Sequence, residues 1–365
     1  MGVARIAVVG TGGIANSHLA AIRSAGERAS VVAAVDVEQE RVEAFRDKYD
    51  IPTAYVDVAE MLAAKKPDLV HVCTPPGTHT ELSLQCMEAG AWVLCEKPLC
   101  GSLADLDRIG AVEERTGAYC SSVYQWRFGS GAQHLLELIR SGALGRLLVG
   151  VCQTTWYRDH AYFEVPWRGK WATELGGPTM GHGIHAMDLF LWLMGDWQEV
   201  SAMIGTLDRD IEVEDVSMAT VRFASGALGS IVNSVLSPRQ ETYLRFDFQA
   251  ATVELKGLYG YSNENWTYSI PDGGDESSLA GWRDIPTDIP SSHAAQVESM
   301  LDSLERGERP AASGEEARRT LEFITALYKS AATGERVTPG SIGPDDPFYN
   351  HVGGTLASPQ GAPVS

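Results

Sequence analysis

The residues best suited to chemistry stand at three places in the chain. Near the N-terminus, Gly10-Thr11-Gly12-Gly13-Ile14-Ala15 has the spacing G-x-G-x-x-A. Between a strand and a helix, the first glycine of such a turn allows a tight bend, the second lets a pyrophosphate approach the main chain, and the small last residue packs helix on strand. The helix N-terminus then offers N–H donors and partial positive charge to the phosphates. Asp36 ends the next apolar run, at the distance where a carboxylate grips a ribose hydroxyl pair. Gly10, Gly12, Gly13, Ile14 and Asp36 are therefore the expected dinucleotide contacts. A carboxylate there accepts from a 2′-hydroxyl and repels a 2′-phosphate, and Val37 and Glu38 add no cation. NAD is expected over NADP, with Arg41 one helical turn on as the residue that keeps NADP open.

The second place is His182, His185 and Asp188, spaced by three and so stacked on one helix face. That layout suits a metal as well as proton transfer, but hydride chemistry has no need of a Lewis acid when lysine and histidine are present, so no metal is expected. The third place lies between Trp156 and Trp171, where Trp156, Tyr157, Tyr162, Phe163, Trp167 and Trp171 make six aromatics in sixteen residues against 8% over the chain. Flat apolar faces interleaved with Arg158, Asp159, His160, Arg168 and Lys170 suit a carbohydrate ring and its hydroxyls. Trp156, Tyr157, Arg158, Trp167 and Arg168 are the expected contacts; a packing cluster where strand meets loop is the plainer alternative.

These groups need elements to hold them. Over residues 5–123, apolar strands at 5–9, 31–35, 69–73, 92–95 and 118–123 alternate with amphipathic helices at 14–24, 38–49, 58–63, 79–89 and 102–116. Strands apolar throughout call for a parallel sheet covered on both faces, a doubly wound α/β domain. After a helix at 132–141, strands at 147–157, 199–204, 217–223, 228–236, 242–249 and 252–256 follow one another with short links, which implies a mostly antiparallel sheet. One helix at 182–194 interrupts them, two more at 293–306 and 314–333 close the fold, and a Pro- and Gly-rich tail from Thr338 is expected to be loosely held. The fold class is thus α/β: an N-terminal Rossmann domain over 1–123, an α+β domain with a large open sheet over 124–335, and a tail over 336–365.

Length and composition agree. The 365 residues suit two domains, and 29 basic against 48 acidic residues give a net charge of −19. A polyanion is repelled by that charge, and no basic cluster is denser than Lys65-Lys66 or Arg318-Arg319, so nucleic acid is not an expected partner. No apolar run is long enough for a membrane span and residues 1–10 lack a signal-peptide layout, so the cytoplasm is the expected compartment. Cys73, Cys86, Cys95, Cys100, Cys120 and Cys152 are scattered, with no ligand-like spacing, and read as reduced packing residues.

Two further motifs narrow the choice: Thr74-Pro75-Pro76-Gly77-Thr78-His79 after the third strand and Glu96-Lys97-Pro98 after the next. With the glycine turn and the antiparallel second half, the chain resembles the glucose-fructose oxidoreductase / inositol dehydrogenase (Gfo/Idh/MocA) family over residues 4–335. The resemblance implies that Thr74, Pro75 and His79 line the cofactor site, that Glu96 lies near the nicotinamide ribose, that Lys97 lies beside nicotinamide and substrate hydroxyl, and that a cis peptide precedes Pro98. A lysine there is desolvated and suited to accept a proton or stabilise an alkoxide. The resemblance also puts His185 at a catalytic histidine position and Tyr124 and Arg127 among the substrate contacts. Where relatives usually carry an aspartate four residues before that histidine, this chain has Gly181, so either His182 next to it supplies the missing polar group or Lys97 and His185 work without it. The expected enzyme is an NAD(P)-dependent oxidoreductase. It moves a hydride between nicotinamide and a secondary ring hydroxyl, at C3 or C1, of a sugar, sugar derivative or cyclitol, with Lys97, His185 and His182 as catalytic residues. A redox-neutral NAD-dependent glycosidase and a non-catalytic dinucleotide-binding regulator are the alternatives. By the same resemblance, a homodimer or homotetramer is expected.

Overall fold

The computed structural model describes residues 2–274 and 276–357. Its first sheet is built from β1 (Ala4–Val9), β2 (Ala29–Val35), β3 (Ala54–Tyr55), β4 (Leu69–Val72), β5 (Trp92–Cys95) and β6 (Cys120–Ser122). They are parallel, in the order β3-β2-β1-β4-β5-β6. Helices α1 (Ala15–Ser24), α2 (Gln39–Tyr49), α3 (Val58–Lys65), α4 (His79–Glu88) and α5 (Leu103–Thr116) connect them. Every residue of β4 and β5 is buried, which is why these strands read as apolar runs, interrupted only by His71, rather than as alternating ones. The order reverses between β1 and β4, and Gly10, Asp36, Thr74 and Glu96 each follow the carboxyl end of a strand around that reversal, where open α/β sheets bind their ligands.

The second sheet follows α6 (Ser130–Ser141). It begins with β7 (Leu147–Tyr157), continues after the short α7 (Trp171–Glu174) and the buried α8 (Ile184–Met194), and is completed by β8 (Trp197–Gly205), β9 (Val216–Phe223), β10 (Leu228–Ser234), β11 (Leu236–Phe248), β12 (Thr252–Gly257) and β13 (Trp266–Ser269). The order is β13-β12-β11-β7-β10-β9-β8, antiparallel except for the β7–β10 pair. Phe190 of α8 packs against Phe223 and Phe246 on the sheet's inner face, which anchors the helix that carries His185.

Several expectations need correction. Residues 236–248 form one long strand rather than an end and a new start. Pro238 suggests a break, but the chain absorbs it as a bulge between Leu236 and Glu241. The strands β3 and β13 and the helix α9 (Glu276–Arg283) carry too little periodicity to be seen in advance. The second domain is also not continuous over 124–335. The chain divides into one compact unit of Met1–Val123 with His293–Arg319, and another of Tyr124–Ser292 with Thr320–Ser365. Helix α10 (His293–Arg306) belongs to the first unit, where it buries Val297, Met300, Leu301 and Leu304, and at its surface Arg28 pairs with Glu298, with Asp302 at 2.6 Å and with Glu305 at 3.1 Å. Helix α11 (Glu315–Thr333) begins in the first unit and ends in the second.

The tail is not loosely held where it is described. Ile342, Phe348 and Val352 are buried, α12 (Pro347–Asn350) is capped by Asp346, and the other oxygen of Asp346 receives Lys329 at 2.5 Å. The remainder of the expected tail, 358–365, lies outside the described residues. All six cysteines are free and buried, and burial alone pushes the Cys86 thiol up to about 12. Among the described residues, no helix is long and apolar enough to cross a membrane.

Candidate active site

In the first unit the glycine turn is shaped for close approach. Gly10 adopts φ +88°, and a Cβ there would stand 2.8 Å from the Cys73 carbonyl carbon. A Cβ on Gly12 or Gly13 would meet nothing within 4 Å, so the main chain at these residues is open to a ligand. Helix α1 begins with no side-chain cap, and its Ala15 and Asn16 amides bond back to the Gly12 and Gly13 carbonyls at 3.2 and 3.3 Å, so no side chain covers the turn. These features fit a dinucleotide pyrophosphate.

Asp36 is 7% exposed. Burial opposes its ionisation, but hydrogen bonds from Arg41, from the Thr11 and Glu38 amides and from the Thr11 hydroxyl outweigh that and hold the carboxyl down to about 2. The Thr11 donors lie 2.8 Å away and Arg41 Nε 2.9 Å. Arg41, the residue that kept NADP open, is thus bound to the carboxylate itself. Of these donors, the half-exposed Arg41 is the one a ribose hydroxyl can displace with least disturbance.

The two other motifs of this unit are joined by His79. One ring nitrogen lies 2.7 Å from the Pro98 carbonyl oxygen and the other 2.8 Å from that of Thr74. Burial lowers the pKa of this imidazole. The Lys97–Pro98 peptide is cis. Glu96 is buried; its Oε1 is 2.9 Å from His18 Nε2 and 3.2 Å from His293 Nε2, and its Oε2 accepts the Lys97 amide at 3.2 Å. Burial works against its charge, yet the two imidazoles hold the carboxyl well below the usual carboxylate range. Behind them, His18 Nδ1 lies 2.9 Å from His71 Nδ1, and burial lowers the pKa of both rings. Lys97 itself is neither fully buried nor exposed.

His18, His71 and His293 were missed in the sequence. The available signals were faint: a histidine on the inner face of α1 and another inside an apolar strand. Nothing in the order of residues could have brought position 293 to position 96. Among the described residues, His18, Glu96 and His293 are also the trio whose ligand atoms lie close enough for a metal ion, within 4.8 Å of one another. In this structure those atoms are already hydrogen-bonded together.

In the second unit, a turn of π-helix, Thr179–Gly183, leads into α8 and carries His182. The glycines before α8 are required by packing. A Cβ on Gly177 would stand 1.8 Å from the Glu214 carbonyl oxygen, and one on Gly183 would stand 1.9 Å from Asn233 Oδ1. The buried Glu214 carboxylate accepts the Gly177 amide at 3.0 Å, the Thr179 amide at 3.1 Å and the Tyr328 hydroxyl at 3.0 Å, which pins this segment to the unit's interior. His185 and Trp192 are the residues of α8 that are not buried.

His182 Nε2 lies 3.3 Å from the Tyr162 hydroxyl, and its ring meets Trp156 edge to face at 5.1 Å. Trp156 is buried and donates to the Thr242 hydroxyl at 2.9 Å, so it takes part in packing. Arg158 and Arg168 lie over Tyr162, and Arg168 also lies over Trp167. Tyr157 is exposed beneath Arg209. Trp171 belongs to the interior, against Tyr328 and His351.

One expected role changes. Arg127 does not reach out toward a ligand. It is 2% exposed, its guanidinium grips both oxygens of Asp188, with Nε at 2.6 Å, and it lies over the Tyr124 ring. Thr320 adds a hydroxyl to Asp188 at 2.7 Å, so Asp188 is engaged on this side. Glu174 is a further residue that the sequence did not reveal. One of its oxygens accepts the Gly169 amide at 2.6 Å, and the other lies 3.7 Å from where a Cβ on Gly181 would stand. A buried carboxylate therefore borders the position where relatives are expected to have an aspartate.

Comparison with known proteins accords with this geometry. Residues 4–124 match an oxidoreductase family with an NAD-binding Rossmann fold, and residues 132–254 match the GFO/IDH/MocA C-terminal domain. The chain is similar to the myo-inositol 2-dehydrogenase of Thermotoga maritima, at 29% identity over 89% of this chain and 96% of that one. It is also similar to the D-glucoside 3-dehydrogenase of Escherichia coli, at 26% identity over 91% and 97%. Among solved structures, the WlbA dehydrogenase of Bordetella pertussis, in complex with NADH and UDP-GlcNAcA, superposes with a TM-score of 0.82 at 28% identity, covering 93% of this chain and 98% of that one.

Proposed function

Because the chain belongs to the Gfo/Idh/MocA family of NAD-binding oxidoreductases, we propose that it oxidises a secondary ring hydroxyl, at C3 or C1, of a sugar, sugar derivative or cyclitol. The observation that carries this reading is the Glu-Lys-Pro turn after β5, where two imidazoles hold Glu96 ionised and Glu96 in turn receives the Lys97 amide. Relatives named as inositol and glucoside dehydrogenases, and one bound to a nucleotide sugar, support the substrate class.

Gly10, Gly12, Gly13 and Ile14 hold the dinucleotide phosphates, Asp36 its ribose, Thr74, Pro75 and His79 the wall beside it, and Glu96 the second ribose. The bound dinucleotide supplies the hydride acceptor. Lys97 holds the substrate oxygen and stabilises its developing negative charge, while His185 takes the hydroxyl proton. His182, kept in place by Tyr162 and Trp156, binds a neighbouring hydroxyl. Glu174 supplies the carboxylate that Gly181 lacks. Arg127 and Asp188 act by bracing α8, and Tyr124 packs beneath them.

The outer face of the second sheet carries exposed Met203, Met218, Leu228 and Val149, with Tyr243 and Arg245 on the same face by register. We assign this apolar face to contact with a second copy, in a homodimer or homotetramer; sedimentation of a Met218→Glu variant as a monomer is the check. Six free cysteines suit a reducing cytoplasm.

The decisive assay follows absorbance at 340 nm with pyranoses, anhydrosugars and inositols, first with NAD and then with NADP. NADH formation with at least one of them is expected. Sugar release without net NADH would replace this reading with redox-neutral glycosidase chemistry.

A further inference from the structure

Arg158 follows the end of β7, and Arg168 stands ten residues further along the same aromatic loop. The Arg168 guanidinium lies 3.6 Å from the centre of the Tyr162 ring, and that of Arg158 lies 5.3 Å from the same ring and 5.1 Å from Trp156. Stacking occupies the flat face of a guanidinium and leaves its N–H edge for an acceptor. Arg158 directs N–H groups to the Tyr157 carbonyl, Gln240 and the Tyr259 hydroxyl, all of them neutral. Arg168 Nε and Nη1 are shut away from solvent and find no acceptor among the described residues.

The buried arginines of this unit are treated differently. Arg127 is paired with Asp188, and Arg209 with Asp208. The acids near Arg158 and Arg168 are committed elsewhere. Asp159 accepts the Tyr162 amide at 2.9 Å, Glu174 accepts the Gly169 amide, and Asp208 serves Arg209 with His160 at 3.6 Å. Two cations therefore share one tyrosine ring, and neither has a carboxylate within ion-pair distance among the described residues. Burial lowers the pKa of Arg168, Glu174 offsets this from a distance, and Arg158 adds to the lowering, as expected of a cation short of counter-charge.

We propose that Arg158 and Arg168 form an anion subsite, so that the preferred substrate carries a carboxylate or phosphate group in addition to the ring hydroxyl that is oxidised. This deepens the dehydrogenase reading and rests on it. A carboxylate or phosphate would meet the guanidinium N–H edges in bidentate fashion. The subsite adjoins His182 through Tyr162, so the anionic group and the hydroxyl held by His182 belong to one small molecule.

The test compares methyl glucuronoside, glucose 6-phosphate and uncharged methyl glucoside as substrates with NAD, and as ligands by calorimetry in the presence of NADH. One of the two anionic sugars is expected to exceed the uncharged one by roughly tenfold or more in kcat/KM, with a KM that rises with salt. Preference for glucuronoside assigns a carboxylate, and preference for the phosphate ester a phosphate. Arg168→Gln is expected to cost the anionic sugar roughly tenfold more than the uncharged one, and Arg168→Lys to restore little of it. Equal losses on both, or a preference for the uncharged sugar, would overturn the subsite. If no sugar is oxidised, the dehydrogenase reading fails, while calorimetry still decides the subsite: absence of selective anion binding that depends on Arg168 rejects it.

Discussion

The two units treat their polar groups in opposite ways. At the cofactor end, Asp36 collects donors from three residues, Glu96 from two imidazoles and an amide, and His79 bridges two carbonyls. At the substrate end, two arginines stack on a tyrosine with edges turned to no carboxylate. A site for an invariant ligand can be prearranged to the last hydrogen bond. A site for one ring among many leaves its recognition groups unsatisfied until that ring arrives.

The sharpest way to break this contrast is through the glycines. Gly177→Ala forces a Cβ into the Glu214 carbonyl and is expected to destabilise the fold by about 3 kcal/mol in thermal or urea unfolding. Gly12→Ala is expected to leave stability unchanged and to weaken NAD by roughly tenfold or more, because its Cβ collides only with the ligand. A Gly12 variant that melts like the Gly177 one would erase the distinction between a glycine kept for a ligand and one kept for packing.

Lys97→Ala comes next. Turnover is expected to drop by roughly two orders of magnitude with NAD affinity nearly intact, since the groups that would grip the dinucleotide do not include the ammonium. Stopped-flow turnover beside fluorescence titration of NADH separates the two, and unchanged turnover removes the catalytic role. Glu174→Gln keeps an acceptor for the Gly169 amide and deletes only the charge; turnover is expected to fall by roughly tenfold, with partial recovery on adding Gly181→Asp. Wild-type rates in the single variant would show that the carboxylate beside position 181 is structural.

Asp36→Asn carries the smallest effect, several-fold in NAD affinity with weaker discrimination against NADP. Its pH dependence has a definite sign. Held at about 2 against an ordinary 3.8, the carboxyl contributes stability that is fully present above the ordinary value and is lost as the pH falls toward about 2. The stability gap between wild type and variant should therefore narrow across that acid window. A gap that widens there would contradict the donor network around Asp36.

The same contrast explains what the sequence disclosed. The glycine turn, Asp36 and Glu-Lys-Pro were visible because phosphate, ribose and hydride geometry impose fixed spacings near strand ends, and β1, β4 and β5 were visible because burial on both faces leaves them apolar but for Arg5 and His71. His293 and Glu174 were hidden because their roles arise from packing of distant or irregular segments: α10 returns to the first unit by burying its apolar face there, and Glu174 lies at the end of a four-residue helix. Arg127 misled for a related reason. Its place after the last Rossmann strand matches a ligand-contacting position, while Asp188, sixty-one residues on, claims the side chain.

The chain of imidazoles behind Glu96 has a built-in direction. A carboxylate can only accept, so His18 must carry its proton on Nε2. Burial keeps that ring neutral, which leaves Nδ1 bare and obliges His71 to donate from its own Nδ1. The two rings are thereby locked in opposite tautomers, and the last lone pair, on His71 Nε2, ends in the interior with no partner among the described residues. Neutralising Glu96 would release the tautomer of His18 and then that of His71, so a change of charge beside Lys97 is transmitted to the middle of β4 by protons alone.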